Sequence, residues 1–288
     1  MHEQPRRWLL YASVTTVFWG VWGALIEIPE KAGFPATLGY TVWALTMIPC
    51  AVAALVMSRE RIAVDPRSVA LGSAIGFLGA GGQLILFDAL RTGPAFIVFP
   101  VVSLYPVVTI VLSVALLHER APWRPWIGVV LALPAIVLLS YVAPGDELIQ
   151  GIRWLISALG VMAAWGVQAY VMKLANASMA AESIFAYMAG TALVLVPIAI
   201  LMTPADASIN WGFRGPYLAG LIHVLNSVGA LTLVYALRDG KAIIVVPMTA
   251  LAPVITIALS LAIYNRVPTG YHLAGMAMAV VAIHLMAE

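Results

Sequence analysis

The chain contains itself twice. The stretch Ala89–Ser113, ALRTGPAFIVFPVVSLYPVVTIVLS, returns at Ala236–Ser260 as ALRDGKAIIVVPMTALAPVITIALS. Pairing each residue with the one 147 positions later gives about 15 identities in 25, without a gap. Pro100 meets Pro247, Pro106 meets Pro253 and Thr109 meets Thr256. Apolar composition alone would not bring two prolines and two Ala-Leu-Arg-x-Gly corners into register. The sequence therefore reads as two related halves, 1–145 and 146–288, and any fold must use one unit twice.

Composition decides the solvent. Hydrophobic residues make up 62% and charged residues only 10%, whereas soluble domains are about one-quarter charged. This much apolar surface requires lipid around it. A net charge of +2, scattered along the chain, excludes nucleic acid as a partner. The single cysteine, Cys50, excludes a disulfide within the chain and reads as apolar packing. The basic start, Met1–Arg7, precedes an apolar run longer than a signal-peptide core, so the run reads as a retained first helix.

A bilayer core of about 30 Å takes about 20 apolar residues per helix. Ten runs qualify: Trp8–Ile28, Ala36–Met57, Ser68–Leu90, Ala95–Leu117, Trp123–Val142, Ile152–Met172, Ala181–Met202, Gly215–Leu237, Ala242–Tyr264 and Thr269–Met286. None alternates as a barrel strand would, and an isolated strand cannot span lipid with its backbone unpaired. The expected class is an all-α membrane protein with ten transmembrane helices. With the N-terminus in the cytoplasm, ten Lys and Arg residues fall inside and five outside. That excess predicts both termini in the cytoplasm of a cell inner or plasma membrane. Trp8, Trp123, Trp126 and Trp154 lie near span ends, where interfacial anchors sit.

Five helices per half is odd, so the second half enters the membrane upside down. Two inverted repeats define a pseudo-two-fold axis in the membrane plane and can present one midplane cavity to either side. No G-x-x-x-x-G-K-[ST] is present to bind ATP, and no loop has room for a soluble domain. Pumping would draw on an ion or substrate gradient, with no cofactor.

The block Ala89–Leu139 resembles the signature region of the drug/metabolite transporter superfamily, in its EamA-type branch. The resemblance rests on the Ala-Leu-Arg corner, on Leu104-Tyr105-Pro106 within the next helix, and on Glu119-Arg120 near that helix's end. The second half repeats the corner at Ala236, with Arg266-Val267 in place of Glu-Arg, and each half carries a Trp-Gly pair, Trp19-Gly20 and Trp165-Gly166. The resemblance implies ten helices, both termini inside, and secondary transport of amino acids, nucleosides, sugars, organic cations or other small metabolites, often outward.

Seven residues are candidates for a substrate site. Glu27 lies late in the first span, two positions before Pro29. A proline frees the carbonyl four residues back, and a carboxylate in lipid must face a cavity or a partner. Otherwise Glu27 is interfacial, beside Glu30 and Lys31. Lys173 is its repeat counterpart, placed toward the opposite face, and reads as snorkelling. His223 and Asn226 are three apart on one helix face, and Gln83 lies deep in the equivalent helix of the first half. They either face a cavity, where His223 can carry a proton, or bond helix to helix. Trp19 and Trp165 are repeat partners whose rings suit apolar or cationic groups. Tyr105, beside Pro106, sits at an expected kink. Asp88 is expected to pair with Arg91. The five histidines are dispersed and no metal is expected.

An intramembrane protease is disfavoured: no G-x-S-G is present and Asp88 is the only aspartate within a span. A passive channel and a transporter of organic cations stand as alternatives to an exporter of small metabolites such as amino acids. The partners expected are a small-molecule substrate, the bilayer and protons as coupling ion, with a monomer as the working unit.

Overall fold

A computed structural model describes residues 7–93, 95–120, 122–139, 151–264 and 270–287. They form helices joined by short turns, with no strand among the described residues. The first crossing is α1 (Arg7–Leu25) with α2 (Glu27–Lys31). Next come α3 (Ala36–Ser58) and α4 (Pro66–Thr92). The fourth crossing is split into α5 (Ala95–Val102) and α6 (Pro106–Leu116), and α7 (Trp123–Leu139) closes the first half. The second half repeats the plan. It runs through α8 (Arg153–Ala175), α9 (Ala181–Val194) with α10 (Val196–Leu201), then a wide turn, Phe213–Tyr217, leading into α11 (Leu218–Asp239). The ninth crossing is again split, into α12 (Ala242–Thr249) and α13 (Ala252–Tyr264), and α14 (Gly270–Ala287) is last. Seven of these crossings meet the length and hydropathy of a membrane span outright. The sequence-derived runs match the ten helical crossings to within a few residues, and Ser140–Val142 of the fifth run and Thr269 of the tenth lie outside the described residues.

The interruptions have a local cause. Pro106 opens α6, Pro197 sits at the second position of α10 and Pro253 at the second position of α13. A proline supplies no N–H and its ring strikes the carbonyl four residues earlier, so the preceding turn cannot continue regularly. At Tyr105 the expected kink is therefore a full break. The start of α4 is built differently: Pro66 takes the first helical position and the Asp65 side chain accepts the Ser68 N–H at 3.1 Å.

Packing follows a two-fold rule. α1 lies on α11 as α8 lies on α4, α3 lies on α11 as α9 lies on α4, and α1 meets α13 as α8 meets α6. α3 and α9 pack on each other, and so do α7 and α14. The rule extends to single atoms. A Cβ on Gly20 would stand 2.6 Å from Ile255 Cβ and 2.8 Å from the Ala252 carbonyl. One on Gly166 would stand 2.5 Å from Val108 Cβ and 2.8 Å from the Tyr105 carbonyl. These are repeat-equivalent contacts in which a missing side chain lets two helices touch. Thr256 donates to the Gly20 carbonyl and Thr109 to the Gly166 carbonyl, both at 2.9 Å. With five crossings per half, this exchange axis relates inverted repeats.

Two expectations change. Trp154 is buried, not interfacial, because Gly93 leaves space for it: a Cβ there would lie 2.7 Å from Trp154 Cβ. Asp88 pairs with Arg153 of α8 at 2.7 Å, and accepts from Ser157 Oγ at 3.0 Å. The α4–α8 contact brings these residues together, and that is invisible along the chain.

Candidate functional site

The two halves enclose a cavity of about 100 Å³ between α1, α3, α4, α8 and α11, bounded by the breaks of the fourth and ninth crossings. That is space for several waters or a small organic molecule. Indoles dominate its wall: Trp19, Trp22, Trp43 and Trp165 all line it, with Phe99 and Tyr105. Each indole N–H is already committed. Trp19 donates to the Asn226 carbonyl at 3.3 Å and Trp165 to the Gly79 carbonyl at 3.2 Å. Asn226 and Gly79 are repeat partners, so this is one bond made twice. Trp43 donates to Asn226 Oδ1 at 2.9 Å and Trp22 to His223 Nδ1 at 3.2 Å. The rings are thus fixed and offer the cavity carbon surface.

Of the seven candidate residues, Trp19, Trp165, Gln83, Tyr105 and Asn226 all line this cavity. His223 stands one layer behind. It is fully buried, touches the wall through Trp22, and its Nε2 has no partner among the described residues. Glu27 is elsewhere. α1 ends at Leu25 and α2 restarts at Glu27, whose carboxylate pairs with Lys31 one turn on in a half-exposed site. Lys173 donates to the Leu237 and Gly240 carbonyls at 3.0 and 2.8 Å, closing the C-terminal end of α11. Among the described residues, no Asp, Glu, Lys, Arg or His lines the cavity, and no three His, Cys, Asp or Glu side chains come together to hold a metal.

Sequence reasoning passed over Gln168 and Ser103, both in the wall. Gln168 carried a usable signal, since it lies three residues after Trp165 on the same helix face and is the repeat partner of Trp22. Ser103 carried none, because it faces the cavity only where the α5–α6 break turns it inward.

A model of the EamA-like transporter family matches residues 6–141 and again residues 152–287. The chain belongs to the EamA-like transporter family. Each match covers one of the inverted repeats, so this member of the superfamily is a multi-pass membrane protein with two EamA units around one cavity. A solved crystal structure of a protein is similar to it with a TM-score of 0.73, over 96% of both chains at 18% identity. That likeness speaks for the fold alone. An uncharacterized protein of Methanocaldococcus jannaschii, MJ1333.1, is 42% identical over 59 residues, 20% of this chain. The chain spans 43% of that relative's length.

Proposed function

We propose that this EamA-like protein is a secondary-active transporter that carries a small amphipathic metabolite, of amino-acid size, out of the cell by alternating access. The observation that carries the reading is one cavity walled by both inverted repeats, with Trp19 and Trp165 in repeat-equivalent seats. Two inverted halves that exchange conformations open such a cavity first to one side and then to the other. Indole faces suit an apolar body, and Gln83 and Gln168 suit a polar end. The two-to-one bias of Lys and Arg supports both termini in the cytoplasm. One chain encloses the cavity, which supports a monomer as the working unit. Where protons drive the cycle, His223 is the candidate carrier, and its bond from Trp22 supports a coupling to the wall. An organic cation is the second reading: it draws on the four indole rings but finds no carboxylate in the described wall.

The test is a radiolabelled panel of amino acids, organic cations and neutral metabolites in proteoliposomes, with and without a pH gradient. Saturable counterflow of one class supports transport. Conductance without saturation would count for a channel instead.

A further inference from the structure

The two-fold axis is broken inside the cavity. On α4 and α8 the wall carries Gln83 and Gln168, and their repeat partners on α11 and α1 are Ala230 and Trp22. Gln168 lies over Gly79, where an added Cβ would strike its Nε2. Gln83 follows Gly79 by one helical turn on the same face of α4. Two primary amides therefore share one side of the cavity. On the other side Trp22 and Trp43 present rings whose N–H groups end on His223 and Asn226. The cavity has an amide pole, where Trp165 also sits, and across from it an indole pole.

One donor of the amide pole is unsatisfied. Gln83 is only 3% exposed, and its Nε2 has no hydrogen-bond partner among the described residues. A buried donor left unmade is costly, so a ligand that brings an acceptor oxygen gains there. A quaternary or primary ammonium gains from the ring faces but brings no acceptor to Gln83. A carboxylate brings one, but it enters a wall with no cationic side chain among the described residues, and a buried charge without a partner is disfavoured. A neutral carbonyl satisfies the donor without that penalty. An amide ligand also has N–H groups to return to the glutamine oxygens.

We infer that the cargo is uncharged at its polar end: an amide- or hydroxyl-bearing head held by Gln83 and Gln168, with an aromatic or apolar body on Trp19, Trp22 and Trp43. The inference rests on the transporter reading above and names the chemistry of its cargo.

A matched set tests it: 2-phenylacetamide, phenylacetate, phenethylammonium and phenylalanine share a ring and differ in head charge. Each is titrated into the purified full-length protein in detergent, followed by tryptophan fluorescence and thermal shift. The expected result is at least ten-fold tighter binding of phenylacetamide than of each charged analogue. Gln83→Leu, or Gln168→Leu where the first variant does not fold, abolishes that preference, and Gln83→Glu turns it toward phenethylammonium. No saturable binding of phenylacetamide, equal binding of a charged analogue, or unchanged preference in the folded leucine variants would overturn the assignment. The binding order intact, with every compound failing counterflow in proteoliposomes, would support this site and sink the transport reading.

Discussion

The Tyr105 hydroxyl meets Oγ1 of Thr249 at 2.9 Å, joining the break of the fourth crossing to the end of α12. Thr249 gives its own proton to the Val246 carbonyl at 2.9 Å, so Tyr105 is the donor. The repeat partners of this pair are Ala252 and Val102, which have no side-chain polar atoms to copy it. The bond therefore sits on one side of the pseudo-axis only. A conformation in which the halves exchange roles would break it and gain no polar contact in return.

Tyr105→Phe should shift the balance between the two conformations. A net hydrogen bond contributes about 0.5–1.5 kcal/mol, a change of roughly two- to twelve-fold in the population ratio. Spin-label pairs across α6 and α12 would report it as a change in the distance distribution. Thr249→Val should do the same, and the double variant should add little beyond either single one. Independent, additive shifts would count against the lock.

Gly20→Ala and Gly166→Ala should each destabilise the protein, and by similar amounts, since each puts a Cβ against the equivalent backbone carbonyl and β-branched neighbour of the opposite half. Overpacking of this kind costs about 1–3 kcal/mol. Thermal unfolding in detergent would check both. A large cost at one glycine and none at the other would mean that the halves are not packed equivalently.

The repeat made the fold legible. Odd helix count, shared prolines and the two Trp-Gly pairs were enough to derive ten crossings and two inverted halves, and to mark Trp19 and Trp165 as repeat partners. Pair partners were not legible. Asp88 finds Arg153, 65 residues away, and Trp22 finds His223, 201 residues away. Hydropathy sets how many helices cross, while the choice of facing residue depends on rotation about each axis, which glycine contacts such as Gly79 and Gly82 on the indole of Trp165 decide. Glu27 stood out in the sequence as a carboxylate in an apolar run. The turn at Ile26, just before Pro29, instead puts it next to Lys31.

Glu27→Gln should therefore leave transport within about two-fold of the parent. Exposed pairs of this kind contribute about 0–1 kcal/mol, and the side chain is outside the cavity wall. The check is initial counterflow rate across pH. Loss of activity at every pH would return Glu27 to the working machinery.

Lys173→Met should cost about 1.5–3 kcal/mol, the range for hydrogen bonds to a charged group. Its ammonium serves the Leu237 and Gly240 carbonyls at the C-terminal end of α11, where the helix dipole favours a cation. Chemical unfolding in mixed micelles would measure it. An unchanged midpoint would mean that water replaces the ammonium at no cost.

Asp65 offers a pH signature at the start of α4. Hydrogen bonds from the Ser68 side chain, then from the Ser68 backbone N–H, hold its carboxyl below the ordinary value of 3.8. A carboxylate with a lowered folded value binds its proton more weakly in the native state than in the unfolded chain. Its stabilising effect is therefore fully present above 3.8 and fades as pH falls through the lower, folded value. Asp65→Ala should lower the unfolding temperature at neutral pH, because the N-cap acceptor is lost. The gap between parent and variant should hold steady down to about pH 5 and close in stronger acid, as the parent's carboxyl takes up its proton. A gap that stays constant through pH 3 would mean that Asp65 acts through its shape and not through its charge.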